Sequence, residues 1–168
     1  MSKLKLIIPK DYHPVLNSVD TQIAIKVIKD TFERELAQAL GLIRVSAPLF
    51  VCSNSGLNDN LSGVERPVEF DLKSTGHNMQ IVQSLAKWKR MALEKYGLTN
   101  GHGIYTDMNA IRRDEVLDNT HSVYVDQWDW EQVICEENRN IEYLKEIVGK
   151  IFDALWATQE MLCVRYPK

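Results

Sequence analysis

His121-Ser122-Val123-Tyr124-Val125-Asp126-Gln127-Trp128-Asp129-Trp130-Glu131 holds two kinds of sequence in one run. Up to Val125 it reads as a buried β-strand, a short series of β-branched and aromatic residues. Beyond Val125, Asp126, Gln127, Asp129 and Glu131 alternate with large apolar rings. Polar groups beside such rings are costly unless they are paired or hydrogen-bonded, so they point to a use. Gln127 and Asp129 are two apart and share one side of a strand, whereas Trp128 and Trp130 take the other. Taken blandly this is an exposed polar stripe. The clean division into two faces fits a sheet whose polar side is a ligand floor. Just upstream, Ala110-Ile111-Arg112-Arg113-Asp114-Glu115 reads as a strand end entering a charged loop. Arg112 there is either an ordinary strand-end arginine paired with Asp114 or Glu115, or a phosphate-binding guanidinium.

An arginine, a loop and a returning strand with polar side chains suit a triphosphate and a small zwitterion on an antiparallel sheet. Arg112-x-Asp114-Glu115, a loop, then His121 and a strand resembles the second motif of the class II aminoacyl-tRNA synthetase fold. The wording from His121 to Glu131 is narrower and resembles the aspartate–ammonia ligase family, the ammonia-dependent asparagine synthetases of the A type. Three further stretches match that family in the same order. They are Leu57-Asn58-Asp59-Asn60-Leu61-Ser62-Gly63, Ser84-Leu85-Ala86-Lys87-Trp88-Lys89-Arg90 and Gly103-Ile104-Tyr105-Thr106. The resemblance implies an α+β fold, an antiparallel sheet flanked by helices, with residues 1–168 forming a single domain.

That resemblance also implies a chemistry: ATP-dependent amidation of L-aspartate by ammonia through a β-aspartyl adenylate. By it, Asp59, Arg112 and Gln127 are the catalytic candidates. Asp59 holds the substrate amino group and helps place ammonia. Lys89 approaches a substrate carboxylate, Gln127 reaches the aspartate or adenylate, and Asp129 lies on the same wall. Arg112 stabilises the α-phosphate, with His121 and Ser122 beside the nucleotide. ATP is expected as substrate with Mg2+, and a homodimer is expected through the Thr21–Leu40 helix. Two positions depart from the pattern. Gln83 stands where the family has histidine, and His102 where an acidic residue is expected. The chain corresponds to the first half of the family. A glycine-rich stretch with a second nucleotide-binding arginine, and the acidic magnesium ligands, belong to the other half. The fold is therefore expected to be truncated, and the competing reading is a non-catalytic homologue that dimerises or binds a metabolite. A tRNA synthetase for asparagine or aspartate fits the wording less well.

Composition agrees with a packed protein. Hydrophobic residues make up 45% and charged residues 26%, which argues against disorder. A net charge of -3 argues against a broad nucleic-acid footprint. No apolar run reaches membrane-spanning length, the N-terminus lacks a secretory core, and a cytoplasmic location is expected. Cys52, Cys135 and Cys163 are odd in number and far apart, fitting reduced thiols better than disulfides or a zinc site. No cluster of metal ligands is evident.

Along the chain, Met1 to Asn17 reads as an extended lead-in. A helix is predicted from Thr21 to Leu40, capped by Ser18 or Asp20 and stopped by Gly41. Leu42 to Pro48 is predicted as a strand, and Leu49 to Gly63 as a strand end with a polar loop. Val64 to Lys73 and Met79 to Val82 read as paired strands. Ser84 to Tyr96 reads as a helix in which Lys87, Lys89 and Arg90 make a solvated face in the bland reading. Ile104 to Ile111 is the next strand. Asn140 to Val164 is a long amphipathic helix, with Ile141, Leu144, Val148, Ile151, Leu155 and Leu162 expected to pack in the core.

Overall fold

A computed structural model describes residues 6–167 of the chain. The elements run α1 (Ser18–Leu40), β1 (Leu42–Arg44), β2 (Phe50–Cys52), β3 (Glu69–Asp71), β4 (Asn78–Ile81), α2 (Ala86–Lys95), β5 (Gly103–Ile111), β6 (Tyr124–Gln132) and α3 (Ile141–Arg165). The strands form two sheets in the orders β1-β5-β6 and β2-β4-β3. The second sheet is antiparallel throughout, with Val51 opposite Gln80 and Phe70 opposite Met79. In the first, Arg112 N–H donates to the Val123 carbonyl and Val133 N–H to that of His102, so β5 and β6 are antiparallel. β1 lies parallel to β5, as the bonds from Gly103 to Gly41 and from Val45 to Tyr105 require. The first sheet is therefore mixed, not antiparallel throughout.

The chain divides into two compact units. One holds Arg44–Gly97 and Tyr105–Glu131 with the described part of residues 1–10. The other holds Asp11–Ile43, Leu98–Ile104 and Gln132–Lys168. Every residue of the candidate site belongs to the first.

In the second unit, α1 packs on α3. Asn17, not Ser18 or Asp20, caps α1: its side chain accepts from Val19 N–H and Asp20 N–H. Gly41 ends the helix at φ 63°, and a Cβ there would sit 3.1 Å from the Gly101 carbonyl, so glycine is required twice over. α3 begins at its Asn140 cap, as its sequence predicts. Its buried stripe, however, is Ile147, Ala154 and Thr158. Leu144, Val148, Phe152, Leu155 and Trp156 are exposed, with Phe152 at 59%. The expected core face is thus corrected: 3.6 residues per turn puts those large residues on a neighbouring stripe. Cys52, Cys135 and Cys163 carry free thiols. No described helix is long and apolar enough to cross a membrane.

In the first unit, Val51, Val82, Leu85, Met108 and Ala110 form a buried cluster, joined by Ala47, Leu57, Trp88 and Val125. This cluster positions the site. Leu57 precedes Asp59 by two residues, Val82 adjoins Gln83, Trp88 adjoins Lys89, and Val125 lies two before Gln127. Strand alternation puts Thr106, Met108, Ala110 and Arg112 on one face of β5, and Val125, Gln127, Asp129 and Glu131 on the matching face of β6. The opposite face carries Tyr105 against Trp128, ring centroids 4.7 Å apart, and Tyr124, whose hydroxyl donates to Asn109. The two-faced reading of β6 therefore stands. Its start does not: β6 begins at Tyr124, which is exposed, and His121 and Ser122 precede it on a loop.

Candidate active site

α2 carries Lys89 onto the sheet. Its residues alternate by helical spacing, and Lys89 shares the inward face with Leu85, Ala92 and Leu93. It is 2% exposed, which corrects the bland expectation of a solvated lysine. Its Nζ donates to Asp129 Oδ1 at 2.7 Å and to the Trp130 carbonyl at 2.8 Å, with Glu131 Oε2 at 3.6 Å. Asp129 and Glu131 sit two apart and converge on one ammonium because the strand puts them on one side. A buried cation needs such partners, since desolvation otherwise costs several kcal/mol, about 3–5 for a broken pair.

Gln127 lies on the same face. Its Nε2 contacts the Met108 sulfur at 2.9 Å, a weak acceptor that leaves the amide free to exchange for a better one. Arg112 stands at the other end of the face. Its Nη1 is 4.0 Å from Glu115 Oε2, the limit of an ion pair, and its buried Nε has no hydrogen-bond partner. Asp114, the other candidate partner, is taken elsewhere. It accepts from Arg66 Nε at 2.9 Å, from Arg66 Nη2 at 2.5 Å and from Arg66 N–H at 2.9 Å. The hydrogen bonds from Arg66 hold the Asp114 carboxyl well below the usual carboxylate range.

That Arg66–Asp114 clasp joins the loop after Asp59 to the loop after β5. Between them lies a cavity of about 360 Å3 lined by Leu61, Glu65, Arg112, Asp114, Glu115 and Val116. Glu65 is kept below its ordinary value chiefly by the Ser62 hydroxyl, which donates to it at 2.7 Å. Leu61 holds φ at 47°, a left-handed backbone that a branched side chain rarely adopts. Sequence reasoning singled out neither Arg66 nor Glu65. In sequence the two are an unremarkable charged pair at the start of the predicted strand from Val64 to Lys73, whereas the observed β3 begins only at Glu69.

Asp59 is fixed by its neighbour. Asn58 is buried and donates to the Ile81 carbonyl at 3.2 Å and to Gln80 Oε1 at 3.4 Å, while its Oδ1 accepts from Gln83 N–H at 2.9 Å. Lys87 Nζ donates to the Asn58 carbonyl at 3.3 Å and lies 3.8 Å from Asp59 Oδ1. Asp59 Oδ2 is buried and unpartnered, as are both amide atoms of Gln83.

The structure thus brings Lys89, Asp129 and Gln127 onto one sheet face, with Arg112 at its end and Asp59 tied to the segment that leads into α2. His121 and Ser122 are not brought onto that face. Both are exposed, and they line a groove of about 530 Å3 formed by residues 117–124. His121 Nδ1 lies 2.8 Å from Asp118 Oδ1. This bond raises the imidazole pKa, and backbone N–H donation from Thr120 first, then the hydrogen bond from the His121 ring, draws Asp118 down to about 2. His102 is exposed.

The donor set does not fit a magnesium cage. Among the described residues no group of three or more His, Cys, Asp or Glu side chains converges on a point. Asp129 and Glu131 are committed to Lys89, and Asp114 to Arg66.

Residues 19–168 match the family model described as "Aspartate-ammonia ligase". Curated relatives named aspartate–ammonia ligase include one from Clostridium tetani (strain Massachusetts / E88), 62% identical over 164 residues. Another, from Clostridium perfringens (strain SM101 / Type A), is 59% identical over 164 residues, and one from Lactobacillus acidophilus (strain ATCC 700396 / NCK56 / N2 / NCFM) is 57% identical over 165. These alignments cover 97%, 97% and 98% of this chain but 48%, 49% and 49% of the relatives. The chain therefore spans about half the length of the curated relatives it matches. Among solved structures, an ATP phosphoribosyltransferase regulatory subunit/histidyl-tRNA synthetase from Bacillus halodurans C superposes with a TM-score of 0.60. It is 12% identical, over 90% of this chain and 38% of that one, so the likeness concerns the fold, which is that of the class II synthetases.

Proposed function

Because the chain belongs to the aspartate–ammonia ligase family, we propose that its protein converts L-aspartate, ammonia and ATP into L-asparagine, AMP and pyrophosphate. The β-carboxylate of aspartate attacks the α-phosphorus and pyrophosphate leaves. Ammonia then attacks the acyl carbon of the β-aspartyl adenylate, loses a proton, and AMP departs. The observation that carries this reading is Arg112. Its guanidinium ends a β5 face floored by Gln127, borders a cavity, and keeps a buried Nε without a partner. A preorganised cation of this kind stabilises charge developing on phosphate oxygens.

Other residues take the remaining roles. Asp59, with one unpartnered carboxylate oxygen, accepts hydrogen bonds from the substrate ammonium or incoming ammonia. Gln127 exchanges its weak sulfur contact for the aspartate or the adenylate. Lys89 and Asp129 form the wall between them, and Lys89 supplies positive potential toward the substrate carboxylate while it stays held by Asp129. His121 and Ser122 border the nucleotide from their loop. Magnesium enters with ATP, where it neutralises phosphate charge, and no residue of this chain is assigned to it. Pairing of two copies through α1 fits its exposed Ile25 and Ile28, which lie three apart on one side of the helix. A cytoplasmic location accords with this metabolism.

A non-catalytic homologue that only dimerises is disfavoured, because buried polar atoms without partners are a cost that a mere scaffold has no reason to keep. One that only binds a metabolite is separated from the ligase by the exchange reaction. The test is isotope exchange between pyrophosphate and ATP, using the protein as its host makes it. Exchange that depends on L-aspartate and needs no ammonia is expected. Absence of aspartate-dependent exchange in protein that makes asparagine would rule out the adenylate, and absence of both would rule out the ligase reading.

A further inference from the structure

Gln83 is 1% exposed, lies between Val82 and Leu85 of the buried cluster, and neither its Oε1 nor its Nε2 has a hydrogen-bond partner. A carboxamide stripped of water and left unbonded costs the fold at both atoms. A purely structural residue here would be leucine or methionine, or would have found a partner. Its backbone is not idle: Gln83 N–H donates to Asn58 Oδ1 at 2.9 Å. Through Asn58, which also binds the Ile81 carbonyl, the segment carrying Gln83 is pinned to the loop carrying Asp59. Asp59 Oδ2 is another buried atom of the same unit without a hydrogen-bond partner. The backbone of Gln83 is thus tied to Asn58, the residue directly before Asp59.

Resting on the ligase reading, we propose that Gln83 contacts the reacting end of the amino acid, Nε2 donating to the β-carboxyl oxygen and Oε1 accepting from the incoming ammonia. The argument is chemical. The α-ammonium and α-carboxylate keep their charges throughout and call for charged partners. The β-carboxyl group alone changes during the reaction into a neutral group with one acceptor and one donor side by side. A carboxamide matches that product with two hydrogen bonds, and it matches the reactants in the same two directions. Being neutral, it neither repels the attacking carboxylate nor withdraws its charge, and it binds ammonia without protonating it.

The test compares Gln83→Leu and Gln83→Met with wild type by thermal unfolding, alone, with L-asparagine and with MgATP. In wild type, L-asparagine is expected to raise the Tm. Both variants are expected to unfold higher than wild type without ligand, by roughly 2–4 °C, because an unsatisfied amide has been removed. They are expected to lose the asparagine shift, keep the ATP shift, and lose on the order of tenfold or more in kcat/KM for aspartate. Failure of both variants to fold, a lowered ligand-free Tm, loss of the ATP shift as well, or a retained asparagine shift each overturns the proposal. A wild-type protein with no shift from asparagine or ATP instead overturns the ligase reading, and the inference falls with it.

Discussion

Lys89 and Arg112 serve the same face of β5 and β6, and the chain treats them in opposite ways. Lys89 is buried and saturated: Asp129, the Trp130 carbonyl and Glu131 surround its ammonium. Arg112 is half-buried and unspent, with one carboxylate at 4.0 Å and a bare Nε. The obvious partner for Arg112 has been drawn off by Arg66, which holds Asp114 with its backbone and its guanidinium together. The lesson is that burial of a charge does not tell its purpose, whereas the accounting of its donors does. A satisfied cation holds the sheet to its helix, and an unsatisfied one is held ready for a ligand.

Substitution sharpens this contrast, and the largest effect on stability is expected at Lys89. Replacing it by methionine keeps the stem and strands Asp129 and Glu131 beside a buried apolar end. Urea unfolding should show a loss of about 3 kcal/mol. A loss within about 0.5 kcal/mol would mean that the ion cluster contributes nothing and that Lys89 is as free as Arg112. The reverse pattern is expected for Arg112→Lys. Stability should change by less than about 1 kcal/mol, because no bond of consequence is removed. Adenylate formation should fall by on the order of 100-fold, since a point charge cannot reproduce the planar fork at the α-phosphate. Near-normal turnover in that variant would remove Arg112 from its proposed role.

The smallest effect concerns the loop that lies off the face. His121 in the folded protein should titrate above its ordinary value of about 6.5, because Asp118 accepts from its ring. The sign follows: the contribution of the pair is full below the unfolded value and is lost as pH rises through the folded one. Asp118, drawn down to about 2, contributes above its unfolded value and loses that contribution as pH falls toward 2. NMR titration of the imidazole should therefore show a raised midpoint that returns to the ordinary value in Asp118→Asn. Equal midpoints in the two proteins would mean that the pair does not persist in solution.

Much of the framework is legible in the sequence because it rests on local rules. The apolar repeat and Gly41 mark α1 and its end, and the alternation after Val125 marks the two faces of β6. What escaped depends on contacts far apart in the chain. Lys89 reads as solvated, since Lys87 and Arg90 beside it are, and only the converging carboxylates forty residues on explain its burial. The competition of Arg66 for Asp114 spans 48 positions and has no local mark. Gln83 stands out as a departure from the family pattern, yet its burial follows from tertiary packing. On α3, hydrophobicity alone does not select between two adjoining apolar stripes, and the narrower one faces α1. Asn17 does not stand out as the cap in sequence, because Asn, Ser and Asp compete on nearly equal terms.

A crystal structure of the protein with L-aspartate and a non-hydrolysable ATP analogue tests the central contrast most directly. Arg112 Nε and Asp59 Oδ2 are expected to gain ligand partners within hydrogen-bond distance, while the bonds from Lys89 to Asp129 and the Trp130 carbonyl remain as they are. Ligands bound elsewhere, with Arg112 and Asp59 satisfied by side chains of the chain itself, would contradict the account.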